Sequence, residues 1–152
     1  MNTDIDLKDL DKVNLKLSYL NLLQNIINRM STFSIAMKTA SVTTLTALLA
    51  YSASETVGNN FKVWMFFLPW IFFTGYNAYF LRLERAFRTL YNNSANHEDI
   101  SFDDFRIDKN KLKAIYEKWS EIIFSKPLLI FHLSLLCLVV ISFAKIKGIS
   151  CI

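Results

Sequence analysis

Glycine and proline are scarce in this chain, with three and two copies in 152 residues, and cysteine occurs twice. No glycine-rich phosphate loop, GxSxG turn or HExxH zinc pattern is present. Cys137 lies inside an apolar run and Cys151 next to the end, so their spacing suggests neither an internal disulfide nor a metal site, and each reads as a small hydrophobe. The first 30 residues alternate polar and apolar positions and lack the basic cap and short apolar core of a signal peptide. Insertion is therefore expected to use the hydrophobic segments themselves. Catalysis is the poorest account of such a sequence: the chain is not expected to be an enzyme, and no cofactor or metal is expected.

One further absence is local. Val63 to Leu81 contains no Asp, Glu, Lys or Arg. At about 1.5 Å per residue its length reaches roughly 28 Å, close to the hydrocarbon thickness of a bilayer. Two more runs, Phe33 to Ala53 and Pro127 to Ala144, have near-spanning length, the first interrupted by Lys38 and several hydroxyls. A soluble bundle is the alternative, but rings as dense as Phe66, Phe67, Trp70, Phe72 and Phe73 would need a larger protein around them. The expected class is all-α: an integral membrane protein with three transmembrane helices and a small helical cytoplasmic domain.

Placement of cations orients it. Thirteen Lys and Arg fall in the N-terminal segment and the connection between spans two and three, against three in the first connection and the tail. The excess marks the cytoplasmic face. The expected segments are a cytoplasmic amphipathic helix at 1–32, span one at 33–53, an external turn at 54–62, span two at 63–81, a cytoplasmic helical and loop region at 82–126, span three at 127–144 and an external tail at 145–152.

Within the first segment, Asp4 to Arg29 reads as a helix capped by Thr3 or Asp4, with Leu10, Val13, Leu17, Leu20, Gln24 and Ile27 on one stripe. Such a stripe must be covered by cytoplasmic helices, by lipid, or by a neighbouring subunit in a short coiled coil. Span one carries Thr39, Thr43 and Thr46 on one side and Ser34, Lys38 and Ser41 on another, a composition suited to close helix contact. Lys38, about a turn inside the apolar run, either snorkels or lines a pore or vestibule. In span two Pro69 is expected to bend the helix. Lys38, Ser41 and Pro69 are thus the pore or gate candidates. Trp64 and Tyr79 suit aromatic belts, and Gly75 and Asn77 suit a helix contact and an interhelical hydrogen bond.

Beyond span two, RLERAFRTLY continues the helix with Glu84 and Arg88 at a supportive spacing. Asn92 to Asn110 reads as a polar loop, in which His97 and the acids Glu98, Asp99, Asp103, Asp104 and Asp108 are solvated and do not match a calcium loop. Asn110 to Phe124 reads as a second amphipathic helix with Leu112, Ile115, Trp119, Ile122 and Ile123 inward. Ser125 and Pro127 mark the start of span three, in which His132 reads as packed or hydrogen-bonded. Arg82, Arg85, Arg88, Arg106, Lys109, Lys111 and Lys113 are interleaved with Phe87, Tyr91, Phe102, Phe105, Tyr116 and Trp119. Guanidinium and ammonium groups among stacking rings suit a phosphorylated or single-stranded nucleic-acid ligand. Positive-inside topology and anionic headgroups require the same pattern.

Four stretches stand out in order and spacing: LQNIINRMSTFSIAMKTASVTTLTALLA (Leu23 to Ala50), FFLPWIFFTGYNAYFLRLERAFRTLYNN (Phe66 to Asn93), DISFDDF (Asp99 to Phe105) and IIFSKPLLIFHLSLLCLVVISFA (Ile122 to Ala144). They resemble a family of small bacterial membrane proteins that is similar to the membrane effector of Hailong anti-phage systems. The resemblance covers about four fifths of the chain, and YFLRLERAFRTLY, Tyr79 to Tyr91, is its most specific part. It implies a homo-oligomeric, ion-conducting effector in the bacterial inner membrane, gated by single-stranded DNA or nucleotide oligomers that a partner nucleotidyltransferase makes. Near span one, Ser, Thr and Ala partly replace the bulkier residues that the family leads one to expect, which leaves the channel-lining surface open. The expected assembly is a symmetric oligomer, a tetramer, around a ligand-gated pore. The alternatives are a non-conducting membrane adaptor that recruits a soluble partner and an organiser of anionic lipid.

Overall fold

A computed structural model describes residues 3–54, 60–96, 100–107 and 109–148, without the side chains at 3–8, 102, 109 and 111. The side chains expected to cap at Thr3 or Asp4, most of the external turn, His97, Glu98, Asp99, Asp108 and Cys151 lie outside the described residues, as do the Lys109 and Lys111 side chains. Helix α1 is Thr3–Ser52, α2 Phe67–Asn96, α3 Lys109–Ile115, α4 Trp119–Ile123 and α5 Lys126–Ile146, with 3-10 turns at Val63–Phe66 and Phe102–Phe105. Among the described residues there is no strand, and the protein is all-helical.

The amphipathic segment and span one, expected as separate helices, form one 50-residue helix. The reason is local: α1 contains neither glycine nor proline. Thr32 Oγ1 donates to the Asn28 carbonyl at 2.9 Å, a back-bond that lets a β-branched hydroxyl stay in a helix interior.

The chain divides into two compact units, one comprising Met1–Thr32 and Leu81–Glu117, the other Phe33–Phe80 and Lys118–Ile152. In the first, Tyr19, Leu23 and Ile27 of α1 pack with Phe87 of α2, and the Tyr19 and Phe105 rings meet at 5.1 Å. This buried stripe differs from the expected one, because Leu10, Val13 and Leu17 remain 54–56% exposed. Of the expected stripe Ile27 alone is buried, because the face that meets Phe87 and Phe105 carries Tyr19, Leu23 and Ile27. Helix α2 also runs past Tyr91 into the expected loop. Lys16 Nζ donates to the Ala95 carbonyl at 2.9 Å, satisfying one of the acceptors that a helix C-terminus leaves free.

In the second unit, Leu45, Phe61, Phe66, Val139 and Phe143 form the core. Phe66 lies 5.2 Å from Phe61 and 5.5 Å from Phe143, ring centroid to ring centroid. Its outer surface is also apolar: Ile35, Leu68, Ile71, Ile130 and Leu138 are all more than 60% exposed. Two helical stretches, Asp9–Ser52 and Lys126–Ile146, are long and apolar enough to cross a membrane, by length and composition. The apolar run Val63 to Leu81 is divided, since its first four residues form the 3-10 turn and α2 begins at Phe67.

That division moves Pro69 into the first turn of α2, where a missing N–H has no intrahelical acceptor to lose. The expected proline bend is therefore corrected to a helix start. Likewise, the helix expected from Asn110 to Phe124 is interrupted at 116–118 between α3 and α4. Lys118 is extended there, with ψ 144°. Ser125 precedes α5 and Pro127 sits in its first turn, while Gly148, at φ 66°, follows its end.

Phe66→Ala removes a fully buried ring and is expected to cost about 3 kcal/mol. Pro69→Ala, three positions on, is expected to change stability by about 1 kcal/mol or less. Reversible unfolding of the detergent-solubilised protein, followed by circular dichroism, measures both; a large gain in stability for Pro69→Ala would restore the kink.

Candidate functional site

Arg82, Arg85 and Arg88 project from α2 at a spacing of three residues. Arg82 Nε donates to the Glu117 main-chain carbonyl at 2.9 Å, and its guanidinium lies 4.6 Å from the centroid of the Tyr116 ring. Arg85 Nη1 donates to Glu117 Oε2 at 2.7 Å. Two turns of α2 thus hold the non-helical segment between α3 and α4, and an arginine that places five donors in a rigid fork can serve a carbonyl and a ring together. The Arg85 and Glu117 side chains are 32% and 38% exposed. Water therefore screens the pair, and its contribution is about 1 kcal/mol or less.

Arg88 points elsewhere: Nη2 and Nε reach Glu84 Oε1 at 2.8 and 3.0 Å, with the Arg88 side chain 60% exposed. Arg106 and Lys113 are exposed. Among the described residues, neither shares a hydrogen bond or ion pair with Arg82 or Arg85. The structure therefore unites two of the sequence-derived cations around Tyr116 and adds Glu117, which sequence reasoning does not single out. Its signal is nevertheless there, since Glu117 is the only acid between Lys109 and Ser120.

A second polar cluster lies inside the apolar unit. Ser34 Oγ of α1 donates to Asn77 Oδ1 of α2 at 2.6 Å. Asn77 Nδ2 lies 3.0 Å from His132 Nε2 of α5, and Trp70 Nε1 donates to the His132 carbonyl at 2.8 Å. Ser34, Asn77 and His132 are all buried. If Asn77 receives the serine proton, its amide must donate to Nε2, which puts the proton of a neutral ring on Nδ1. Among the described residues, His132 Nδ1 and Ser41 Oγ are enclosed without a hydrogen-bond partner.

The three gate candidates fall in different settings. Ser41 is fully buried; Lys38 is half-buried, its Nζ 5.7 Å from the centroid of the Phe131 ring; and Pro69 sits in the first turn of α2. Thr39 and Thr43 satisfy their hydroxyls on the carbonyls of Ile35 and Thr39. Among the described residues, no group of three His, Cys, Asp or Glu side chains is placed to hold a metal ion.

A double-mutant cycle with Asn77→Ala and His132→Ala is expected to give a coupling energy of about 0.6 kcal/mol, the average for hydrogen bonds between membrane helices, and no more than about 1.7 kcal/mol. Additive losses would show that the two side chains do not share the bond.

No protein-family model, curated protein or solved structure matches this chain.

Proposed function

We propose that this chain is a three-span membrane protein, with its N-terminus in the cytoplasm, that assembles as a homo-oligomer into a ligand-gated ion channel of anti-phage defence. The bacterial inner membrane is its location, and a tetramer its favoured form. The observation that carries this reading is the segregation of chemistry along the chain. The unit built from 33–80 and 118–152 has exposed Ile35, Leu68, Ile71, Ile130 and Leu138. The unit built from 1–32 and 81–117 holds Arg82, Arg85, Arg88, Arg106, Lys109, Lys111 and Lys113. An apolar exterior suits lipid, and the arginines of α2 suit a phosphate-bearing ligand, in a unit whose 11 Lys and Arg are matched by 11 Asp and Glu.

Helix α2 supports the coupling of ligand to pore, because it passes from Phe80 to Leu81, and so from one unit to the other, without a break. A short single-stranded DNA or nucleotide oligomer, the product of a partner nucleotidyltransferase, is the proposed ligand. Its affinity must differ between the open and closed assemblies, since only differential binding shifts the equilibrium. With Pro69 at the helix start, the gating motion is assigned to rotation of α2 as a whole.

A specific observation favours one other reading. The exposed Leu10, Val13 and Leu17 stripe would also suit a non-conducting adaptor that docks a soluble partner.

Ion flux from proteoliposomes separates the two, since an adaptor gives none. For the channel, an added thymidine oligonucleotide is expected to change flux, and the triple change of Arg82, Arg85 and Arg88 to Gln is expected to abolish that response. Loss of three phosphate contacts would also flatten the dependence of log affinity on log salt by about two. Unchanged binding and unchanged flux in the triple variant would sink the proposal.

A further inference from the structure

The arginines proposed to receive a phosphate are already occupied. Arg85 holds the Glu117 carboxylate at 2.7 Å, Arg82 holds the carbonyl of the same residue at 2.9 Å, and the Arg82 guanidinium lies on Tyr116. A carboxylate and a phosphodiester each present a pair of anionic oxygens to a guanidinium, so they compete for it. The outcome depends on how firmly the internal partner is held. A deeply buried pair would resist exchange; this one is about one third exposed on each side, where solvent weakens it and a ligand can approach.

The position of Glu117 gives the exchange a consequence. The chain passes between its two units at three points, after Thr32, after Phe80 and after Glu117. The first lies within α1 and the second within α2, both unbroken, whereas the third lies in the non-helical 116–118 segment. Tyr116 N–H closes α3 on the Leu112 carbonyl, and the Lys118 carbonyl accepts the first bonds of α4. Between these two helix ends, the Glu117 carbonyl and carboxylate are held by α2. Of the three passages, this is the one whose backbone can change without breaking a helix.

We infer that Glu117 is an internal competitor for the ligand: its carboxylate holds Arg85 in the empty protein, and a phosphodiester group of a single-stranded oligonucleotide displaces it and releases 116–118. The inference rests on the ligand reading above and adds the regulation of that site. No covalent step is involved; one anionic acceptor replaces another, while the Arg82 bond to the main-chain carbonyl is loosened by loss of its neighbour.

The test measures binding of a fluorescent eight-nucleotide oligothymidine to detergent-solubilised full-length protein, with amide hydrogen exchange at 116–118 as a second readout. Glu117→Gln keeps the side-chain shape and removes the charge, and is expected to tighten binding three- to tenfold. Glu121→Gln makes the same change in net charge at an exposed residue and is expected to gain less than twofold. Glu117→Asp, which keeps the charge but withdraws it from Arg85, is expected to fall between wild type and Glu117→Gln, and it tests the idea should the glutamine variant misfold. Exchange at 116–118 in empty Glu117→Gln should match that of oligonucleotide-bound wild type and exceed that of empty wild type.

Equal affinities for wild type and Glu117→Gln would overturn the competitor while leaving the ligand reading intact. Absence of oligonucleotide binding by any variant at low salt would overturn the ligand reading and the competitor with it. A gain seen only with phosphatidylglycerol vesicles would assign the arginines to lipid, and would likewise overturn the proposal.

Discussion

The amide of Asn77 joins three helices at once, and the apolar unit depends on it for its register. An isolated apolar helix surface has little preference for one rotation over another, because Leu against Leu and Leu against lipid are nearly equivalent in a membrane. Ser34 and His132 remove that freedom. A hydroxyl on α1 and an imidazole on α5 must both find the same side chain on α2, at 2.6 and 3.0 Å. A shift by one residue, about 100° around any of the three helices, would leave polar atoms in an apolar interior at a cost of about 1–3 kcal/mol each. Trp70 adds a fourth constraint, since its indole N–H reaches the His132 carbonyl. The aromatic cluster of Phe61, Phe66 and Phe143 then supplies close packing, while the polar cluster selects which packing is reached.

The other unit is specified differently. Its core sets Tyr19, Leu23 and Ile27 against Phe87, and its polar contacts lie at the rim, where they close helix ends. Lys16 takes a free carbonyl of α2 at Ala95. Arg82 and Arg85 take the carbonyl and carboxylate of Glu117. Around 101–104 the chain makes its own closure, with Asp104 accepting from both the Ser101 N–H and its hydroxyl at 3.0 and 3.2 Å. Contacts of this kind are screened and individually weak, so a unit that relies on them at its rim is the one in which an outside anion can compete with internal structure. In the apolar unit the same competition would have to expose enclosed polar atoms first.

Legibility in the sequence follows the range of the deciding contact. Ser125 and Pro127 announce the start of α5 because capping and proline geometry are local. Asn77 is legible as a helix contact, since an amide in an apolar run must find its partner on a neighbouring helix. The absence of any breaker between Thr3 and Ser52 is equally visible. The change of composition near Ser31 points the other way, but composition does not end a helix. The interruption at 116–118 is not legible. It coincides with a bond from Arg82, 35 residues away along the chain, in a segment whose own pattern remains helical. Glu117 is obscured in the same way: among so many cations it reads as a neutralising charge, and only the fold shows which cation it holds. For Pro69 the expected kink follows from one premise, that a chain crossing apolar depth is α-helical from its first apolar residue. The 3-10 turn at Val63–Phe66 changes the helix start and with it the role of the proline.

Lys38 shows what a single chain does and does not require of its surroundings. A lysine near the middle of a membrane helix costs about 2.5–3.5 kcal/mol by insertion measurements. Its ammonium lies 5.7 Å from the Phe131 ring centroid, a contact that offsets about 0.5–2 kcal/mol as solvent is withdrawn. The remainder is within the reach of a flexible four-carbon stem, because Lys38 is only five residues past the start of its unit at Phe33 and can place its charge toward the nearer interface. The charge therefore does not by itself demand a water-filled pore. Ser41, about one turn further, is enclosed and has no hydrogen-bond partner among the described residues, an uncompensated cost of about 1–3 kcal/mol. A rotation of α1 that gave Ser41 a partner would relieve its hydroxyl before it needed to move the lysine.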